Sequence, residues 1–330
     1  MRGAATVQID EADFPRRSNR IAQFNFLTRY AMLAPSSHNS QPWKFATRNY
    51  KLLLLADRSR RLPVADSDGR ELYISVGCAL ENLLIAAAHF GYACEVEYFP
   101  EPENDDLVAR IGLVKSDGAS LHHPELFEAI TRRRTNRHAY EPVPLSRTHE
   151  RQLYSCCNEG DILLELSGLS NLKEAVDDLV QRASAIHFAD PAYRKEVAHW
   201  IGQGSFGAAW PAAKAGQAIV SHVNVGQVVG RRDSAALRTA PLIGLLSSRT
   251  DDRMSQVRVG QVFERIALAA SRLSIQLQPM SQILQVPALR SSLANIFGRS
   301  LWAPQHLFRI GYASTVGRRT PRRRLEEAWT

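Results

Sequence analysis

The sequence predicts an α+β protein of two fused halves related by a pseudo-twofold axis, each with a mixed β-sheet flanked by helices. The first observation behind this fold class is a repeat: residues 76–91 (VGCALENLLIAAAHFG) align without a gap with residues 259–274 (VGQVFERIALAASRLS). Both copies keep apolar residues at steps of three and four, the spacing of a helix with a wide buried face. The second observation is that strand-like apolar runs flank both copies in the same order. Strand, helix and strand occur twice, which favours an internal duplication over two unrelated core helices.

The repeat keeps one register along both copies. Its identities share the offset 260 − 77 = 183, and they include Gly77 with Gly260 and Glu81 with Glu264. The runs that follow the two helices also share the tripeptide Arg-Ile-Gly. We expect residues 1–118 to form the first half and residues 119–330 the second. The flanking runs cover residues 52–56 and 109–114 in the first half, and residues 242–246 and 308–313 in the second.

Composition limits the classes of partner. The chain has 330 residues, of which 45% are apolar, so it can bury a full core. Its formal net charge of +8 comes mostly from arginine and indicates an anionic partner. The arginines cluster at residues 16–20, 132–137 and 318–324, with few aromatic residues between them and no recognised nucleic-acid module. This pattern disfavours nucleic acid as the partner.

The remaining composition signals are negative. Four cysteines form no Cys-x-x-Cys pair, and the histidines lack the spacing of metal ligands, so we expect no metal site. The N-terminal residues contain no apolar segment of a signal peptide. No stretch of sequence approaches the roughly 20 apolar residues of a transmembrane helix. We therefore expect a cytoplasmic protein with no membrane partner.

Two motifs carry the candidate chemistry. Residues 34–43 (APSSHNSQPW) place short polar side chains between prolines that fix the backbone, and the second half has no counterpart. Residues 132–137 (RRRTNR) follow a predicted helix at 124–131 and offer planar guanidinium groups, which suit a phosphate. Taken alone, this second motif also fits a solvated charge run. A third pattern, Gly-x-Gly-x-x-Gly at residues 202–207, follows a helix-like run rather than a strand, which disfavours a dinucleotide-binding fold.

Together with residues 77–91 and the C-terminal 321–327 (PRRRLEE), these two motifs resemble the nitroreductase superfamily of FMN proteins. The fused arrangement resembles its Acg-type branch, in which two nitroreductase-like halves share one chain. The likeness covers about residues 26–145 and 240–327, and it implies one FMN between the halves. The residues implied for the phosphate and ribityl end are Arg133, Arg134, Thr135, Arg322 and Arg323. Those implied for the flavin ring are Arg137 beside N1 and O2, Pro35, Ser36, Ser37 and Asn39 on the other side, and Gln278, Pro279 and Met280 near N5.

The resemblance also implies a function. An FMN-dependent oxidoreductase of nitroreductase type would transfer hydride from NAD(P)H to a small planar electrophile, for which a small aromatic substrate is a candidate, with no catalytic side chain of its own. The alternative is an FMN-binding storage or sequestration protein with little turnover. Residues 187–232, rich in glycine and aromatic residues, are either a lid over the flavin or an ordinary packed excursion. Both a monomer and a homodimer are compatible with the sequence.

Overall fold

The computed structural model describes residues 9–116, 122–315 and 317–330. The boundary that the sequence predicts between the halves, residues 118 and 119, lies outside these ranges, as do residues 1–8. The described chain contains two four-stranded sheets and the helices that flank them. The strands of the first sheet are β1 (Trp43–Arg48), β2 (Lys51–Ala56), β3 (Tyr92–Tyr98) and β4 (Leu107–Lys115), and those of the second are β5 (Ile162–Ser167), β6 (Leu242–Ser248), β7 (Gln276–Pro279) and β8 (Ala303–Gly311).

The two sheets have the same topology, β1-β2-β4-β3 and β5-β6-β8-β7. This agreement confirms the α+β class and the two-halved architecture, and each expected strand–helix–strand unit is present. The expectation of mixed sheets needs correction, because all pairings between these strands are antiparallel. In the first half the chain runs from the long helix into the edge strand β3, and β4 then returns between β2 and β3, so β4 is antiparallel to both. Strand β8 has the same place between β6 and β7 in the second half. Parallel pairing in the described residues is limited to two isolated bridges, Phe45 with Trp329 and Thr135 with Leu277.

Eleven helices complete the described fold. The two copies of the repeat form helices of 20 residues each, and these are the most extensively buried helices. The bounds of the eleven α-helices, of which α2 and α9 contain the repeat, are in chain order α1 (Arg20–Ala31), α2 (Arg70–His89), α3 (Phe127–Arg132), α4 (Arg147–Tyr154), α5 (Ser170–Ala189), α6 (Pro191–Gly202), α7 (Trp210–His222), α8 (Gly226–Thr239), α9 (Arg253–Arg272), α10 (Pro287–Ile296) and α11 (Leu325–Ala328).

Helices α2 and α9 cross in backbone contact at the repeated glycine. A Cβ atom on Gly77 would lie 2.0 Å from the carbonyl oxygen of Val257, and one on Gly260 would lie 2.0 Å from that of Ile74. Neither residue has a positive φ, so the close approach and not the turn geometry requires glycine here. Each glycine occupies the same position in its own copy, so the crossing point lies on the pseudo-twofold axis. Side chains of both halves pack around it in one hydrophobic core.

Helix α2 also meets the length and hydropathy criteria of a membrane span, which corrects the expectation that no segment would reach them. In the structure 94% of its apolar window is buried inside the protein. The apolar surface of α2 is covered by α9, α1 and the first sheet. Its composition is therefore accounted for by its place in the core.

The halves differ mainly in one connection. Strands β1 and β2 are joined by a tight turn in which Asn49 and Tyr50 both have positive φ. The equivalent strands of the second half, β5 and β6, are separated by the four helices α5–α8. These helices contain residues 187–232, the excursion that the sequence marks as extra. The insertion packs partly against the first half, where Phe188, Tyr193 and Trp200 form a hydrophobic cluster with Leu62 and Ala65.

Candidate functional site

A cavity of about 590 Å³ lies where the two halves meet the inserted helices. Its walls come from the loop after α1, the segment after α3, the C-terminal segment and the insertion. Its size is in the range of sites that hold a small molecule or cofactor. Of the thirteen residues that the sequence assigns to a site, eleven line this cavity: Pro35, Ser36, Ser37, Asn39, Arg133, Arg134, Thr135, Arg137, Gln278, Pro279 and Arg322.

The first wall is a strained loop. His38, Asn39 and Gln41 have φ of 50°, 53° and 52°, in the left-handed region that non-glycine residues rarely adopt. The hydroxyl of Ser36 accepts a hydrogen bond from the Gln41 amide at 2.9 Å, which closes the loop on itself. Such strain persists only where surrounding contacts hold it, and it concentrates at ligand sites.

Those contacts come from the C-terminal segment of the second half. Asn39 Nδ2 donates to the Pro321 carbonyl at 2.9 Å, and Arg322 donates to Asn39 Oδ1. Gln41 Oε1 accepts from the Arg323 amide at 2.9 Å. The segment 320–323 therefore clasps the loop of the first half. This clasp brings the two separated motifs of the sequence onto one wall.

Positive charge is concentrated beside the clasp. The guanidinium groups of Arg133 and Arg322 both donate to the carbonyl oxygen of Leu33, at 3.0 Å and 2.9 Å. Arg134 approaches from the same segment and donates to the Gly317 carbonyl at 3.3 Å. Two cations that share one neutral acceptor keep donor capacity for an anion. This end of the cavity therefore suits a phosphate group.

Asn136 holds the arginine segment in place, although the sequence does not single it out as a site residue. Its side chain is fully buried and donates to the Thr315 carbonyl at 2.6 Å and to Gln276 Oε1 at 3.3 Å. Its backbone amide donates to the Leu277 carbonyl at 3.1 Å. The sequence does carry a signal for this role, because an asparagine among arginines can hold their backbone through hydrogen bonds of its side-chain amide. Asn136 thus determines where Arg134 and Arg137 emerge.

Sequence analysis did not identify a second set of polar residues in the cavity lining, which includes Glu71, Gln285 and His306. Ser37 donates to the carboxylate of Glu71, which also accepts from Gln285 Nε2 at 3.1 Å. Nearby in the lining, neither ring nitrogen of His306 has a hydrogen-bond partner within the described chain, and His38 Nδ1 has none either. Burial, then the charge of Arg70, lowers the pKa of His306 to about 3. Burial lowers that of His38 to about 4 despite Glu71, so both rings are neutral at pH 7 and free to bond a ligand.

Two predicted residues do not reach the cavity. Met280 is 1% exposed and packs in the hydrophobic core of the second half. Arg323 binds the carbonyl oxygens of Gln41 and Trp43 at 2.9 Å and 3.0 Å, and its guanidinium pairs with Asp57 at 3.2 Å. Arg323 therefore anchors the C-terminal segment to the first sheet. It supports the wall and does not face the cavity.

The insertion forms the remaining wall. Phe206 lies 5.8 Å from the His38 ring, between centroids, and the Arg137 guanidinium lies 5.3 Å from the Phe206 centroid. Two tryptophans of the insertion do not line the cavity: Trp200 packs beneath Arg60, and Trp210 is 69% exposed. The apolar and aromatic residues of the insertion that do line it are Phe188, Tyr193, Val197, Ile201, Phe206, Val220 and Val229.

The cavity offers no metal ligand set. In residues 9–116, 122–315 and 317–330, no group of three or more His, Cys, Asp or Glu side chains is placed to hold an ion. The cavity combines a cationic end at Arg133, Arg134 and Arg322, the neutral rings of His38 and His306, and the apolar side chains of the insertion. Such a lining fits an anionic ligand with a large, uncharged ring system.

Comparisons with known proteins point to the same family. No family model matches the chain. It is 29% identical over 310 residues to "Putative NAD(P)H nitroreductase Rv3131" of Mycobacterium tuberculosis, a match that covers 90% of this chain and 88% of that protein. It is 25% identical over 312 residues to "Putative NAD(P)H nitroreductase acg" of the same species, covering 91% and 92%. This chain is therefore similar to the Acg-type nitroreductase-like proteins over nearly its whole length.

The fold agrees along nearly the whole chain. A crystal structure of a putative nitroreductase from Anabaena variabilis is similar with a TM-score of 0.56 and 10% identity, over 92% of this chain and 91% of that one. The matches span both halves, so the predicted Acg-type resemblance and the nitroreductase-like fold are confirmed.

The repeated glutamate, Glu81 in the first half and Glu264 in the second, has different partners in the two halves. Glu81 of the first half accepts from Gln261 Nε2 at 2.9 Å and pairs with His122 at 2.7 Å and Arg265 at 3.3 Å. Burial alone would raise its pKa, but Arg265 and then His122 lower it to about 2. Arg265 also pairs with Glu159, so protein side chains satisfy the charges at this position. In the second half, the cations beside Glu264 are Arg133 and Arg322, which line the cavity.

Proposed function

We propose that this chain is an FMN-dependent NAD(P)H oxidoreductase of nitroreductase type, with one flavin in the cavity between its halves. The observation that carries the proposal is the clasp. It joins the loop of the first half to the arginines of the second around one cavity, and neither half alone has both. The names of the mycobacterial relatives support the NAD(P)H-linked activity.

The residues present fit FMN. Arg133, Arg134, Thr135 and Arg322 form the cationic end and would hold the phosphate, because guanidinium groups bind phosphate through paired hydrogen bonds. The unpartnered nitrogens of His38 and His306 supply donors and acceptors for a polar heterocycle, and the apolar insertion covers a flat ring. Arg137, as the family resemblance implies, would stand beside flavin N1 and O2.

The chain's own part in the reaction is binding and electrostatics. When bound, FMN supplies the hydride chemistry, so no side chain has to act as a nucleophile. A guanidinium beside N1 and O2 favours extra negative charge on the ring and so makes its reduction easier. Ser37, fixed by Glu71, and the end of β7 at Gln278 and Pro279 would orient the ring. Arg309 holds this end of the strand, because its Nε donates to Gln278 Oε1 at 2.8 Å.

A second candidate function, storage or sequestration of FMN, is favoured by how the insertion is tied down. The carboxylate of Glu196 on α6 accepts from the amides of Val64 and Ala65 of the first half, at 3.0 Å and 2.9 Å. These two bonds latch the insertion, which belongs to the second half, to the first half while it covers the cavity. A closed latch would keep NAD(P)H and an aromatic substrate away from the ring.

One experiment separates the two functions. Wild-type protein loaded with FMN is mixed with NADH or NADPH, and the loss of the flavin's visible absorbance is followed by stopped flow before a nitroaromatic is added. Rapid reduction and reoxidation support catalysis. Reduction that is slow with NAD(P)H but fast with dithionite supports storage. Reduction by neither reagent contradicts a redox role.

The latch gives a matched prediction. Glu196→Ala removes two charge-assisted hydrogen bonds, each with a net value of about 1.5–3 kcal/mol, so the open population should rise at least tenfold. If opening limits access, NAD(P)H should reduce the bound FMN about tenfold faster than in wild type. Lys195→Ala, an exposed change on the same helix, is the control and should leave the rate unchanged. An unaltered rate in both variants would show that this latch does not govern entry.

A further inference from the structure

Glu264 is a buried carboxylate without hydrogen bonds. It lies on α9 with 0% of its surface exposed, and neither oxygen accepts a hydrogen bond of good geometry from the described residues, because the neighbouring Asn82 amide donates to the Tyr30 carbonyl at 3.3 Å. Its ion-pair partner is Arg133, whose Nε lies 3.4 Å from Oε1 without hydrogen-bond geometry. Leaving a buried charge in this state is costly. The site is therefore built around a charge that its own surroundings do not satisfy.

The groups that face Glu264 explain this state. Arg133 and Arg322 approach from the cavity, and Cys78 and Glu81 face it from α2. Burial raises the pKa of Glu264 to about 8, although the two arginines oppose the shift. Burial, and then the charge of Arg133, lowers the pKa of Arg322 to about 9. Two arginines held close together thus have one carboxylate as a shared counter-charge.

The duplication supplies an internal comparison. Glu81, at the same position of the first repeat, is bonded by Gln261 and paired with His122 and Arg265. Those partners do not line the cavity. A glutamate whose partners are internal has a fixed charge, whereas Glu264 shares its partners with the cavity. The two copies therefore differ in the position of their arginines. Arg265 beside Glu81 lies away from the cavity, whereas Arg133 and Arg322 beside Glu264 can also bind a ligand in it.

We propose that Glu264 is a positioning residue that acts as an internal counter-anion, competing with the phosphate group of a bound ligand for Arg133 and Arg322. Once the pH exceeds the pKa of Glu264, its carboxylate compensates the paired arginines in the empty site. When a phosphate monoester then occupies the arginines, Glu264 takes up a proton and becomes a neutral support. This inference rests on the proposed function, because it requires that the ligand of the cationic end carries a phosphate.

The sign of the pH dependence follows from this competition. A dianion beside Arg133 and Arg322 raises the pKa of Glu264 further, since like charges disfavour ionisation. The bound state therefore holds more protons than the free state. By linkage, affinity is greatest when Glu264 is protonated and falls as the pH rises through the free-state pKa of about 8. The phosphate is a dianion throughout this range, because its second pKa is about 6.

The test compares FMN affinity at pH 7.0 and pH 8.5, from quenching of flavin fluorescence, in wild type and in Glu264→Gln. For a single group with a pKa of about 8, wild-type affinity should fall about fourfold. Glu264→Gln should match wild type at pH 7.0 and lack this fourfold fall. Any weakening that comes from deprotonation of Arg322, whose pKa is about 9, should be seen in both proteins. Glu128→Gln, an exposed change near the arginine segment, should keep the wild-type fall.

A second measurement keeps the test decisive if Glu264→Gln does not fold. Titration of wild type with FMN at pH 8.5, in two buffers of different ionisation enthalpy, should show uptake of about three quarters of a proton per FMN. No proton uptake, or the same fourfold fall in Glu264→Gln, would overturn the inference while leaving the proposed function in place. Failure of FMN to bind either protein at either pH would instead contradict the proposed function.

Discussion

Replacing Gly77 by alanine is expected to cost at least about 4 kcal/mol of the free energy of unfolding, or to prevent folding. The new Cβ would lie 2.0 Å from the backbone oxygen of Val257, where no rotamer change can relieve the clash. Helix α2 would have to move away from α9, and that separation would open the core that both halves share. Chemical denaturation followed by circular dichroism measures the loss.

The matched control is Gly160→Ala. Gly160 has no atom within 4 Å of its added Cβ and an ordinary φ, so we expect a change within about 0.5 kcal/mol. Gly260→Ala should be as damaging as Gly77→Ala, because its Cβ meets the Ile74 carbonyl at the same distance. A cost below about 1 kcal/mol for either repeat glycine would mean that the helices do not cross at this point.

The second large effect is expected for Arg133→Ala. This change removes a guanidinium from the cationic end and leaves Glu264 without its nearest ion-pair partner. FMN binding should weaken by about 1.5–3 kcal/mol, the value of a hydrogen bond to a charged group, which is roughly a 10- to 150-fold rise in Kd. Equilibrium titration followed by flavin fluorescence gives the value.

Arg16→Ala serves as the comparison for charge alone. Arg16 lies in the N-terminal arginine cluster, where it is exposed, packs over Phe14 and does not line the cavity. We expect less than a threefold change in Kd, because a distant surface charge is screened by salt. An equal loss in both variants would indicate that the arginines attract FMN only through diffuse charge.

The repeat was predictable because packing leaves a strong trace in sequence. A helix buried on nearly all sides must be apolar, and a backbone crossing admits only glycine, so Gly77 and Gly260 mark the same point in both copies. The purely antiparallel pairing of the strands was not predictable in the same way. Strand polarity depends on where the chain goes after the edge strand, and residue pattern does not record that path.

Most of the candidate site was predictable because two motifs carry it, yet side-chain direction within a motif was not. Successive side chains of an extended segment point to opposite sides. Arg322 therefore faces the cavity, while its neighbour Arg323 turns to Asp57 and the first sheet. Met280 likewise turns into the core directly after Gln278 and Pro279.

His306 and Glu71 could not be found from sequence at all. They lie far apart in the chain and belong to no motif, and each is one of several polar residues in its element. The bond from Arg70, at the start of α2, to the Gln305 carbonyl of β8 brings the two elements together beside one cavity. The covering aromatic residue was ambiguous for a related reason. Trp200, Phe206 and Trp210 are all candidates by composition, and only Phe206 is directed inward.

The most direct test of a single shared site is the number of flavins per chain. The protein is saturated with FMN, freed of excess by gel filtration and heated, and the released flavin is compared with the protein concentration. Because the clasp builds one cavity from the loop of the first half and the arginines of the second, and side chains fill the equivalent position at Glu81, we expect a ratio near one. A ratio near two would contradict the shared site, and no retained flavin would contradict the site altogether.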